Sequence, residues 1–121
     1  MTARAGTTAA VVAGLRAWVR GHDPHVQAAV GLLLAHDVCP RRTEFRAACV
    51  RRDSDGEHWI DWSAARAAFD AGEFDRASST EIAVLDLAIA LGSDRYRLRS
   101  MGHHNARLIA EAVAHAVGAT R

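Results

Sequence analysis

The apolar stretch at residues 79–91 most constrains what this chain can fold into. Ser78 followed three residues later by Glu81 is a capping-box pattern, which is typical of the start of a helix. The apolar side chains cover two sides of the helix axis, with Ile82, Leu85 and Ile89 on one side and Val84, Leu87 and Leu91 on the other. A helix that is apolar nearly all round is a buried one. We therefore expect a central helix that ends at Gly92, with Leu85 and Leu87 both in the core.

Hydrophobic periodicity predicts further helices on both sides of the central one. They are expected at residues 7–20, capped by Thr7 or Thr8, at 24–36, at 63–69, capped by Ser63, and at 102–117. Asp23 followed by Pro24 is an N-cap and first-turn pair, so the second helix should bury Val26, Ala29, Val30 and Leu33. Gly21 and His22 should connect an antiparallel helical hairpin that forms half of the core. The last helix is expected to bury Leu108, Ile109, Ala112, Val113 and Ala116.

Residues 49–52 and 57–62 flank an Asp-Ser-Asp-Gly turn and predict a β-hairpin. A four-residue loop would place Arg52 opposite Glu57, and Val50 opposite Trp59. Two strands alone are marginally stable, so the ribbon should lie against helices. The sequence therefore predicts a mainly α fold, a small orthogonal or antiparallel bundle of about five helices with one short β-hairpin. It forms a single domain over residues 1–121, with residues 1–6 disordered.

Composition excludes several classes of function. The chain has 121 residues, of which 50% are hydrophobic and 24% charged, and this balance is typical of a globular protein. A formal net charge of +1 gives no global attraction to nucleic acid or to anionic membranes. All 15 basic residues are arginine, which excludes lysine-dependent chemistry. This arginine and alanine usage resembles that of short proteins from GC-rich actinobacteria, a resemblance that implies no activity.

We expect the protein to be cytoplasmic and not bound to a membrane. The first ten residues contain no apolar run before a cleavage site, and no stretch approaches the roughly 20 apolar residues that a bilayer span needs. Two cysteines in such a chain are expected to remain thiols. The sequence also gives no reason to expect a cofactor.

Four residues form the best candidate metal set, namely His36, Cys39, Cys49 and His58. Two thiolates and two imidazoles suit tetrahedral zinc, but the paired Cys-x-x-Cys spacing of common zinc folds is missing. Unrelated buried side chains are the alternative that we favour. The pairs His22-Asp23 and His36-Asp37 resemble the histidine–aspartate pair of metal phosphohydrolases, so a small metal-dependent hydrolase is a third function. His104, Glu111 and His115 fall along one helix edge and are expected to be solvated.

Asp86 interrupts the predicted central helix, where a buried charge is costly unless it is paired. We expect an arginine partner, and the alternative is a carboxylate with a raised pKa that acts as a general base. No nucleophile is visibly placed beside it. Asn105, at the start of the last helix, should satisfy backbone groups.

Five arginines cluster within twelve positions, namely Arg41, Arg42, Arg46, Arg51 and Arg52. They could contact phosphates, but nearby carboxylates dilute their field and no recognition helix is evident. Nucleic-acid binding by an arginine-rich ribbon is therefore the second function. Trp59 and Trp62 on the ribbon predict a surface for a protein partner or for self-association, because tryptophan is enriched where partners bind. The leading prediction is a non-enzymatic interaction or regulatory module, not an enzyme.

Overall fold

The computed structural model describes residues 7–119. The predicted disordered segment, residues 1–6, lies outside them. In the described part the helices are α1 (Thr7–Trp18), α2 (Pro24–His36), α3 (Thr43–Cys49), α4 (Trp62–Asp70), α5 (Ser79–Gly92) and α6 (Ala106–Ala116). Strands β1 (Val50–Arg52) and β2 (His58–Ile60) form one antiparallel ribbon. The predicted fold class, a helical bundle with one hairpin, is confirmed.

Helix α5 is the central helix, as predicted. Ser78 accepts a hydrogen bond from the Glu81 amide at 3.2 Å, and Glu81 accepts one from the Ser78 amide at 3.1 Å. This completes the capping box. The helix buries Leu85, Ala88, Ile89, Ala90 and Gly92, and its main packing partner is α2.

The predicted burial of Leu87 is wrong, because this side chain is 40% exposed. Ser79, Thr80, Ala83, Asp86 and Leu87 form one exposed arc of α5.

Helix α2 has the predicted bounds and buries the predicted residues, Val26, Ala29, Val30 and Leu33. Asp23 occupies the N-cap position, but its carboxylate accepts no capping hydrogen bond. Helix α1 packs chiefly on β2 and only weakly on α2, so the predicted pairing of α1 with α2 supplies less of the core than expected. The connection is a 3-10 turn over Val19–Gly21, held by Gln27 Nε2, which donates to Val19 O at 2.9 Å.

The predicted pairing of the ribbon is wrong by one residue on the second strand. Val50 pairs with Ile60, Arg51 with Trp59 and Arg52 with His58. Asp53 causes the shift, because its carboxylate accepts hydrogen bonds from the amides of both Asp55 and Glu57. The turn therefore extends through Glu57. The strands are also shorter than predicted, since Cys49 ends α3 and Trp62 begins α4.

Helix α4 is capped by Asp61 and not by the predicted Ser63. Asp61 is the N-cap and accepts a hydrogen bond from the Ala64 amide at 3.0 Å. Trp62, the first residue of α4, lies against the end of α5, where a Cβ on Gly92 would overlap with the indole ring. This contact joins α4 to α5 without any hydrogen bond to the buried Trp62 Nε1.

One hydrophobic cluster fills the interior of the described part, and all its buried members lie between Val11 and Ile89. The predicted burial of the last helix is therefore wrong. Helix α6 has no buried residue, and of the five residues predicted to be buried, Leu108, Ala112, Val113 and Ala116 are exposed and Ile109 is half-buried. Periodicity identified an amphipathic helix, but the core is complete without it. We call residues 7–93 the body and residues 94–119 the C-terminal extension.

Candidate functional site

The C-terminal extension leaves the body at a turn that also ends α5. The Arg95 amide donates to Ala90 O at 2.9 Å, and the Asp94 amide donates to Leu91 O at 3.0 Å. Asp94 and Arg97 both have left-handed backbones, with φ of 57° and 50°. Non-glycine residues adopt this conformation at a cost, so the chain direction here is imposed by the turn.

Two 3-10 turns, Leu98–Met101 and His103–Asn105, lead from this turn into α6. Asn105 Nδ2 donates to Met101 O at 2.8 Å and ties the first turn to the start of the helix. The predicted role of Asn105 in satisfying backbone groups is therefore confirmed at a carbonyl.

An apolar groove of about 750 Å³ runs between these turns and α6. Its walls are mostly apolar and small, and include Leu98, Met101, Ala106, Ile109, Ala110 and Val113. Arg99 and His103 also line it. Among the described elements, the main packing partner of α6 is the His103–Asn105 turn that precedes it, so the groove is open to an occupant.

The exposed apolar surface is concentrated on the extension. Eight large apolar side chains are exposed among the described residues, and six of them belong to the extension, namely Tyr96, Leu98, Met101, Leu108, Val113 and Val117. Val117 is 70% exposed and Leu108 62%. Leu98, Met101 and Val113 of this set line the groove. Scattered single apolar residues are normal on a protein surface, whereas several gathered at one groove mark an interaction site.

Charge is also unevenly divided between the body and the extension. The body carries nine arginines and twelve carboxylates, a formal net charge of −3. The extension carries four arginines and two carboxylates, a net charge of +2, together with three of the seven histidines. Arg4 and Arg121, which lie outside the described residues, bring the total to +1, and this overall balance conceals two regions of opposite sign.

The two ribbon tryptophans are placed differently. Trp59 lies on β2 and is 36% exposed. Trp62 is half-buried, packs against the hydrophobic cluster and contacts Gly92. Only Trp59 therefore presents much of its ring to solvent.

Two of the clustered arginines make hydrogen-bonded ion pairs. Arg41 makes two hydrogen bonds of 3.0 Å to Asp37, and this partner lowers the pKa of the Asp37 carboxyl. Arg42 donates to Glu81 at 2.9 Å, which links the start of α3 to the start of α5.

Two more arginines are used within the fold. Arg46 donates to Pro40 O at 2.8 Å, and Arg51 donates to Ala48 O at 3.3 Å. The Arg52 side chain is exposed, and its guanidinium makes no hydrogen bond or ion pair with residues 7–119. The cluster is thus mainly a structural network, with one guanidinium left for a ligand such as phosphate.

The predicted zinc set is not gathered into a site. Across residues 7–119, no three histidine, cysteine or acidic side chains are close enough together to hold a metal ion. Burial raises the pKa of the Cys39 thiol to about 11 and that of Cys49 to about 12, where the neighbouring Cys39 contributes further. Both thiols are therefore protonated at neutral pH, and a metal ion would have to displace their protons. His36 is half-buried at the end of α2.

His58 is held against α1, where a Cβ on Gly14 would overlap with its ring. Its Nδ1 is buried and has no hydrogen-bond partner among the described residues. Burial, and then the positive charge of Arg52, lower the pKa of His58. The ring is therefore neutral at pH 7 and contributes packing.

Asp86 has the predicted arginine partner but not the predicted burial. Arg66 Nη2 donates to its carboxylate at 2.8 Å, and the Asp86 side chain is 54% exposed. Arg66 Nη1 donates to Asp70 at 3.4 Å, so two carboxylates share one guanidinium. The bond to Asp86 is the main reason that the pKa of Arg66 is raised. The trio retains a net negative charge on the surface of α4 and α5.

No family model matches the chain, and no curated protein or solved structure matches it either. Among the described helices, none has both the length and the apolar character to cross a membrane. The candidate site therefore rests on the chain's own geometry. Sequence reasoning missed the extension because the pattern of α6 resembles that of a core helix. The signal that could have identified it is the concentration of arginine and histidine in residues 95–107.

Proposed function

We propose that this protein is a non-enzymatic interaction module that binds another macromolecule through its C-terminal extension. One observation carries the proposal: six of the eight exposed large apolar side chains lie on a segment that adds nothing to the hydrophobic cluster. An amphipathic helix in an apolar groove is a common mode of macromolecular recognition.

The stability of α6 supports the same proposal. Helices shorter than about 12–15 residues are marginal in water on their own, and most helical stability comes from packing of an apolar face. Helix α6 has 11 residues and none is buried. A partner that covers the groove would supply the packing that the body does not.

The shifted pKa values also favour binding over catalysis. They belong to two buried thiols, to a half-buried histidine and to arginine–carboxylate pairs. Each has a structural cause, and none lies in the groove. A reducing compartment such as the cytoplasm suits the two free thiols.

Trp59 is a second, smaller contact in this proposal. Its ring is the only large exposed apolar side chain on the described part of the ribbon. Trp62 is assigned to packing, because its indole fills the space that Gly92 leaves.

Native mass spectrometry of the protein purified from its own host tests the proposal. The wild type should carry a protein, nucleic acid or second copy. Ala110→Glu, which places a charge in the groove, should lose it. Ala28→Glu is the matched control, because Ala28 is also an exposed helical alanine but lies on α2, outside the groove. A bare monomer, or a companion that survives Ala110→Glu, would overturn the proposal.

A further inference from the structure

We propose that the occupant of the groove is a second copy of this chain, in a dimer in which each extension lies on the α4–α5 surface of the other copy. This inference rests on the proposed function and names its partner. We call the α4–α5 surface, formed by Ala83, Leu87, Asp70 and Asp86, the acceptor surface.

Charge complementarity is the first reason for a second copy. The extension has a net charge of +2 and the body one of −3, so any two copies attract each other when extension meets body. The same comparison disfavours direct contact between two extensions, because both are positive. Complementary potentials favour one docking orientation over others.

The acceptor surface carries an apolar strip and a negative charge. These match the exposed apolar side chains and the positive charge of the extension. Leu87 is 40% exposed and lies one helical turn from the exposed Ala83, which gives an apolar strip on α5. Beside it, Asp70 and Asp86 share the single guanidinium of Arg66 at 3.4 and 2.8 Å. An arginine from the second copy, such as Arg99 at the groove, would balance the remaining negative charge.

The area needed for a stable dimer favours a reciprocal arrangement. A standard interface buries about 800 Å² per partner and uses about 20–30 residues on each side. Helix α6 is only about 16 Å long at 1.5 Å per residue, so a pair of α6 helices alone is too small. When each 26-residue extension lies on the body of the other copy, the same contact forms twice. Such a two-fold interface is the commonest form of homo-oligomer.

The body need not unfold to make this dimer. All buried members of the hydrophobic cluster lie between Val11 and Ile89, so no cavity forms in the core when the extension docks on the other copy. The turn at residues 93–97 keeps its hydrogen bonds to the end of α5. Docking of the extension on the other copy therefore costs little core packing.

Sedimentation equilibrium of the purified protein, from about 1 to 200 µM, is the first test. We expect a monomer–dimer equilibrium whose Kd rises with salt, because part of the attraction is between exposed charges. Ala110→Glu on the extension and Leu87→Glu on the acceptor surface should each raise the Kd at least about tenfold. Ala28→Glu should leave it unchanged. Circular dichroism checks that all three variants remain folded.

Mixing the two damaged variants distinguishes the reciprocal dimer from other dimers. A dimer of either variant with itself has two damaged contacts. The mixed dimer has one contact in which both surfaces are intact. We therefore expect Ala110→Glu mixed with Leu87→Glu to associate more tightly than either variant alone. A dimer unaffected by Leu87→Glu, or no gain on mixing, would overturn the acceptor surface.

A wild-type protein that stays monomeric over this whole range would overturn the second copy as occupant. The proposed function fails separately, since it requires only a companion of any kind in the host-purified protein. A monomer in sedimentation together with a companion lost in Ala110→Glu would overturn the dimer and support the interaction module.

Discussion

Two glycines permit close contacts between elements of the body. Gly14 on α1 lies against the ring of His58, and Gly92 at the end of α5 lies against Trp62. Both aromatic side chains carry a buried nitrogen that has no hydrogen-bond partner among the described residues. The polar cost of burying these nitrogens is offset by packing that only a missing Cβ permits.

We predict that Gly92→Ala destabilises the protein although alanine is the better helix former. Helix propensity favours alanine by about 1 kcal/mol, but overpacking against a large ring costs about 1–3 kcal/mol. The free energy of unfolding in urea should therefore fall, by up to about 2 kcal/mol. Gly31→Ala is the matched control: Gly31 lies within α2 with nothing within 4 Å of a new Cβ, so it should gain about 0.5–1 kcal/mol. Equal effects of the two substitutions would contradict the contact with Trp62.

At the scale of single elements, α5 has a buried side and an exposed arc that its sequence conceals. Leu85 is 3% exposed, whereas Leu87 is 40% exposed. Leu85→Ala should lower the free energy of unfolding by about 2–5 kcal/mol, because it leaves a cavity in the core. Leu87→Ala should cost under about 1 kcal/mol when measured at low protein concentration, where the proposed dimer is absent. Similar losses at the two positions would show that the arc is covered within one chain.

Elements whose ends depend on local chemistry could be predicted from the sequence. Pro24 fixed the start of α2, and the pairing of Ser78 with Glu81 fixed that of α5. Elements whose ends depend on contacts with residues distant in the sequence could not be predicted equally well. Ser63 and Asp61 are both good caps, and only the ribbon, where the Asp61 amide donates to Cys49 O at 2.9 Å, selects Asp61.

The candidate site was hidden for a similar reason. Ile109 and Val113 recur at the spacing of a core helix, and an amphipathic pattern is the same whether the apolar face meets the body, a partner or solvent. Trp59 and Trp62 were both predicted as interface residues because tryptophan is enriched at interfaces, but only Trp59 is exposed, whereas Trp62 is half-buried and packs against the cluster. Residue type predicted which side chains could bind, and the packing of the core determined which remain accessible.

At the scale of the whole molecule, the body and the extension differ in charge, in burial and in what stabilises them. In the described part of the chain, the body contains every buried member of the hydrophobic cluster, and the extension contains most of the large apolar side chains that are exposed. A segment that adds little to folding is free to be selected for binding. The proposed interaction can then be disturbed without disturbing the fold.

We predict that a chain ending at Arg97 folds cooperatively, because it retains the whole cluster and the hydrogen bonds that end α5. At about 1 µM its Tm should lie within about 4 °C of the full-length value, since less than about 1 kcal/mol of packing is removed. The full-length Tm should rise with protein concentration, because association stabilises the folded state by mass action, and the truncated Tm should not. Differential scanning calorimetry at several concentrations measures both. A truncated chain without a cooperative transition would show that the extension belongs to the core, and a full-length Tm independent of concentration would count against self-association.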